Sequence, residues 1–79
     1  MRNKLEVILK NKQFIINEVY DFFNATNDIL IVKYDGVRQS NKYNVIIIGK
    51  DSRFETINFE IDNLQEGIRK ALTEYQKYI

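Results

Sequence analysis

The chain has 79 residues, a formal charge of +1, no Cys, no His and no Pro. That length fits one domain spanning 1–79, with a modest core and marginal stability. Disulfides and Cys/His zinc sites are excluded, so self-association or a partner is the remaining route to extra stabilisation.

Hydrophobic residues make up 44% of the chain and only three residues are Gly, which argues for a packed globule over disorder. The N-terminus is charged and leads into no apolar h-region, so no signal peptide is expected. The longest aliphatic runs, Ile29 to Val32 and Val45 to Ile48, are strand-sized and far short of the ~20 residues of a membrane span. With no cysteine, this points to the cytoplasm. Heavy use of Asn, Ile and Lys, whose codons are AT-rich, fits an AT-rich genome or a mobile element such as a phage.

In chain order, residues 4–23 carry Leu5, Ile8, Leu9, Ile15, Ile16, Val19, Tyr20, Phe22 and Phe23 at the spacing of an amphipathic helix. Asn3 and Glu6 fit a capping box at its start. Lys12 falls within the apolar arc, while Val7 and Phe14 fall outside it. A rival reading makes Leu5 to Leu9 a strand, Lys10 to Gln13 a turn and Phe14 to Phe23 a shorter helix. Asn24 to Asp28 is polar and reads as a loop.

Three strands are expected next: Ile29 to Tyr34, Tyr43 to Gly49 and Arg53 to Ile61. Asp35-Gly36 signals a turn, although the connection is longer than a two-residue hairpin. Asp62 then opens a second helix, with Gln65 as the partner in its capping box. Leu64, Ile68, Ala71, Leu72, Tyr75, Tyr78 and Ile79 form its apolar stripe. Gly67 interrupts that stripe at a cost of about 1 kcal/mol relative to Ala. A close approach to the sheet would account for it. The fold class is α+β in the order α-β-β-β-α, a three-stranded antiparallel sheet with two helices packed on it.

The strand pattern carries the functional expectation. An antiparallel sheet covered on one side alternates apolar and polar residues. The third strand does so, with Ile57, Phe59 and Ile61 against Thr56, Asn58 and Glu60. The first two strands are apolar on both sides. Helices on one face would leave a patch of ~400 Å² on the other, worth about 10 kcal/mol before association costs. Helices on opposite faces would leave none. An exposed outer strand offers a second route, by pairing with another chain. The expected role is a non-enzymatic interaction module binding a protein partner or a second copy. The candidate contacts are Ile29, Ile31, Val45 and Ile47, with Tyr34 and Tyr43 at the strand ends.

The alternative is nucleic-acid binding. Lys33, Arg38, Lys42, Lys50 and Arg53 against Asp35 and Asp51 give residues 33–53 a local charge of +3. Tyr34 and Tyr43 add stacking surfaces among them. No catalytic constellation, cofactor motif, metal set or small-molecule site is evident. Without His or Cys, the commonest general base and the most reactive nucleophile are missing. Gly49-Lys50-Asp51-Ser52 lacks the glycine spacing and the following helix of a phosphate loop.

The element order is similar to that of double-stranded-RNA-binding domains. That resemblance implies contacts from helix one, the loop between strands one and two, and a lysine-rich start of helix two. Arg38 and Lys42 lie in the corresponding loop. Asp62-Asn63-Leu64-Gln65-Glu66 is acidic where that family is basic, and the family's proline-histidine loop signature is missing. The order also resembles that of small phage-encoded inhibitors, including some anti-CRISPR proteins, with no motif shared. A likeness of topology does not carry function.

Overall fold

Two short helices open the chain where one long helix was the first expectation. In the computed structural model, which describes residues 2–79, α1 spans Arg2–Leu9 and α2 spans Ile16–Asn24. The rival reading placed the turn correctly, but Leu5 to Leu9 is helix, not strand. The helix begins at Arg2, which puts Asn3 inside it instead of at a cap.

Side chains from the far end of the sequence hold the break open. The Gln65 amide clamps the Phe14 backbone, accepting from its N–H and donating to its C=O at 3.0 Å. One turn on, the Arg69 guanidinium donates to the carbonyls of Leu9, at 2.9 Å, and of Asn11. The Leu9 carbonyl ends α1 and has no helical N–H to accept from, and the Asn11 carbonyl lies in the turn that follows. Arg69 also lies 4.6 Å from the centre of the Phe14 ring. Phe14 thereby reaches the core, Lys12 stays in the exposed turn, and Val7 faces solvent. Arg69→Ala is expected to cost α1 about 1–2 kcal/mol. Its amides would then exchange hydrogen roughly tenfold faster while the sheet amides stay protected.

The strands β1 (Ile29–Tyr34), β2 (Tyr43–Ile48) and β3 (Ile57–Ile61) form an antiparallel meander with β2 at its centre. The third strand starts four residues later than expected. A 3-10 turn at Lys50–Ser52 follows β2, and Phe54 leaves the strand path to enter the core. Its ring packs on Tyr75 and stacks at 4.5 Å on Tyr78.

The last helix, α3, spans Leu64–Tyr75. Its cap is Asn63, not Asp62: the Asn63 side chain accepts from the Glu66 N–H at 3.0 Å. The one-residue shift frees Gln65 for Phe14, and Asp62 instead accepts from the Asn41 N–H. Gly67 does sit against the sheet, where an added Cβ would lie 2.7 Å from Ile61 Cγ2.

One core takes Leu5 from α1, Val19, Phe22 and Phe23 from α2, Val45, Ile47 and Ile57 from the sheet, and Ile68, Ala71, Leu72 and Tyr75 from α3. Phe22 and Phe23 both meet the Tyr75 ring, at 6.3 and 5.2 Å, so α2 and α3 share one layer. The molecule measures 36 × 30 × 18 Å, and the short dimension matches one sheet with one layer of helices. Among the described residues no helix is long and apolar enough to cross a membrane.

Candidate interaction surface

With every helix on one side, the other side of the sheet stays open. Strand register decides which residues it shows, because directly paired residues share a face and neighbours along a strand alternate. Leu30 pairs with Ile47, and Val32 with Val45, which pairs in turn with Phe59. These residues point toward the helices. Ile29 pairs with Ile48, Ile31 with Ile46, and Ile46 with Asn58. These occupy the open face, together with a last row of Lys33, Asn44 and Glu60.

Of the six residues expected to bind a partner, the structure therefore keeps two together. Ile29 and Ile31 lie on the open face, and Ile29 is 53% exposed. Val45 and Ile47 are corrected: both are 0% exposed and belong to the core. Their places are taken by Ile46 and Ile48, which the sequence reading passed over. Both strands were apolar on both sides, so only the pairing could say which isoleucines of β2 join Ile29 and Ile31. Tyr34 and Tyr43 also lie on the helix side, beyond its covered part. Their rings meet edge to face at 4.9 Å, and Tyr34 is largely exposed.

The apolar patch is smaller than the sequence suggested. Ile31, Ile46 and Ile48 are each only partly exposed, because close-set side chains on a sheet shade one another. The exposed apolar area is on the order of 200 Å², worth about 5 kcal/mol before association costs. Its rim is polar. The Asn44 amide donates to Asn58 and to the Phe59 carbonyl, at 3.3 Å for the latter. The edge strand β1 carries no proline and a single charge, Lys33, so few of the usual devices blunt it.

The five basic residues of the alternative reading do not form one patch. Lys33, Arg38 and Lys42 gather at the hairpin end of the sheet, and Lys50 and Arg53 follow the far end of β2. Those ends are ~17 Å apart along a six-residue strand. Arg38 is engaged by Glu60 and, at 3.5 Å, by Asp35. Lys42 Nζ lies 6.0 Å from the centre of the Tyr34 ring.

Arg53 has another task. Asp28, just ahead of β1, is the one buried charged residue among those described, with its side chain only 2% exposed. Its carboxylate accepts from both ends of the Arg53 guanidinium, at 2.7 Å for the Nη2–Oδ2 bond. It also accepts from the Tyr75 hydroxyl and from the Lys50 N–H at 2.8 Å. The Arg53 hydrogen bonds hold the Asp28 carboxyl down to about 2, against the cost of burial. Burial and the adjacent carboxylate push the Tyr75 hydroxyl up to about 12. All the donors converge on a carboxylate with no capacity left, so this group ties the α2–β1 loop, the turn after β2 and α3 together. Sequence reading passed over Asp28 because an Asp in a polar loop looks like any turn residue.

The molecule is thus a two-layer α+β domain with one sheet face uncovered. Comparison with known protein families, with curated proteins and with solved structures finds no match.

Proposed function

We propose that this protein is a non-enzymatic interaction module that binds another protein chain through its open sheet face. The observation that carries this is the cluster of Ile29, Ile31, Ile46 and Ile48 on the face that no helix covers. An apolar centre with a polar rim of Lys33, Asn44, Asn58 and Glu60 is the usual composition of such a surface. Asp28, the one buried acid among the described residues, is spent on internal hydrogen bonds, which leaves it no role in proton transfer.

Site-specific photocrosslinking in the cell that encodes the protein tests this reading. A photoreactive side chain at position 31 or 46 is expected to give protein adducts. The same group at Lys70, on the outer side of α3, is expected to give none. Equal labelling at all three positions, or no adducts at 31 and 46, would remove the reading.

A further inference from the structure

We propose that the occupant of the open face is a second copy of this chain, packed face to face about a two-fold axis that runs along β2. The inference rests on the interaction reading above and names the partner. Its basis is that the face is self-complementary in charge.

One register row holds Lys33 on β1, Asn44 on β2 and Glu60 on β3. A half-turn about an axis above β2 and parallel to it exchanges the positions of the two edge strands and keeps each row opposite itself. Lys33 then faces the second copy's Glu60, and Glu60 faces its Lys33. The contact is isologous, as a two-fold requires. On the axis Ile46 meets Ile46 and Ile48 meets Ile48, while Asn44 meets Asn44. Ile31 covers the second copy's Asn58, whose amide oxygen is already held by Asn44. A half-turn about an axis across the strands fails, because it sets Lys33 on Ile29.

Lys33 is free to pair, and Glu60 keeps one oxygen for it. Among the described residues, Lys33 has no carboxylate within bridging distance. Glu60 uses Oε2 for Arg38 of its own chain, and Oε1 is left to accept from the facing Lys33. Aligned sheets of this kind keep their strand directions within about 30° of each other and interleave their side chains.

Area sets the strength. Three strands ~5 Å apart, each of five or six residues, give a footprint of about 15 × 20 Å per copy. Such a contact buries about 600 Å² in all, below the range of stable specific complexes and in that of weak, transient ones. The dimer is therefore weak, with a dissociation constant on the order of 100 µM.

Sedimentation equilibrium from about 10 µM to about 1 mM decides the matter. The native chain is expected to shift from the mass of one copy to that of two across this range. Ile46→Lys sets two ammonium groups against each other on the axis and is expected to stay monomeric. Lys33→Glu alone and Glu60→Lys alone each set like charges opposite one another, and each is expected to weaken association about tenfold or more. Combined, they restore the opposite-charge pairs and bring association back to within about threefold of native. Circular dichroism of each variant confirms its fold, and Ile48→Lys replaces Ile46→Lys if that variant unfolds. A native chain that remains one copy throughout, or a double variant no tighter than the singles, overturns the proposal. Photoadducts of positions 31 and 46 to a different protein, with a monomeric native chain, would overturn self-association and leave the interaction reading standing.

Discussion

Asp28→Ala is expected to cost the domain about 3 kcal/mol, measured as a lowered urea midpoint at an unchanged slope. The truncation leaves the Tyr75 hydroxyl buried without its acceptor and removes the anion opposite Arg53. It also strands the Lys50 N–H. The cost lies mainly in the buried Tyr75 hydroxyl losing its acceptor, because Arg53, 40% exposed, can be rehydrated. A domain of this size has only about 5 kcal/mol to lose, so the variant should be partly unfolded at 37 °C. Asp28→Asn keeps an acceptor for Lys50 but loses the charge, and should cost about 2 kcal/mol. Tyr75→Phe removes one donor of four and should cost about 1 kcal/mol. The order of the three variants is the test: equal and small effects would show that the group is not a structural tie. The pH profile gives an independent check. The carboxyl is held at about 2 in the fold against 3.8 when unperturbed, so its contribution is complete above about pH 4. That contribution is lost as pH falls toward 2. Tyr75 works at the other end. Its hydroxyl is pushed up to about 12 from 10, so the neutral form is the one the fold holds. Stability is intact below pH 10 and declines as pH rises through 12.

The strands were legible because their signals are local. Ile29 to Tyr34 and Tyr43 to Ile48 are β-branched and aromatic runs between polar turns, and neighbouring strands joined by short connections pair with each other. The break between α1 and α2 was harder to see, because Leu5, Ile8, Leu9, Ile15, Ile16 and Val19 keep nearly continuous helical spacing across it. What opens the chain there is Gln65 and Arg69, 51 and 60 residues downstream of the backbone groups they hold. Face assignment failed for a related reason. A one-residue slip in pairing moves every side chain to the other face. The loop from Asp35 to Lys42 is too long to set the register by turn type, so Val45 and Ile47 exchanged roles with Ile46 and Ile48. Gly67 was read correctly from its cost alone: a glycine in the middle of an apolar stripe must stand where a side chain does not fit.

Two opposed effects meet at Gly67, and the balance makes a sharp prediction. Replacing a mid-helix glycine with alanine gains about 1 kcal/mol when the site is open. Here the new methyl would lie 2.7 Å from Ile61 Cγ2 and 3.1 Å from Val45 Cγ2. Both neighbours are β-branched, so the struck methyl moves only with rotation about χ1 or with the strand itself. Val45 is 0% exposed and has no space to turn into. Ile61, at the end of β3, is only partly buried and yields more readily. Relief then comes from lifting α3 away from β2 and β3, which loosens the packing of Ile68, Ala71 and Leu72 behind it. Overpacking of this kind costs about 1–3 kcal/mol, which exceeds the propensity gain. Gly67→Ala is therefore expected to destabilise by about 1 kcal/mol net. Gly67→Val adds two further methyl groups at the same spot and should cost about 3 kcal/mol or more, measured in the same urea titrations. Pairing Gly67→Ala with Ile61→Ala removes the nearer obstacle. In that background the alanine should cost about nothing, because the helix preference is then set only against the milder contact with Val45. If Gly67→Ala stabilises the otherwise native chain, then α3 does not press on the sheet as closely as its glycine implies.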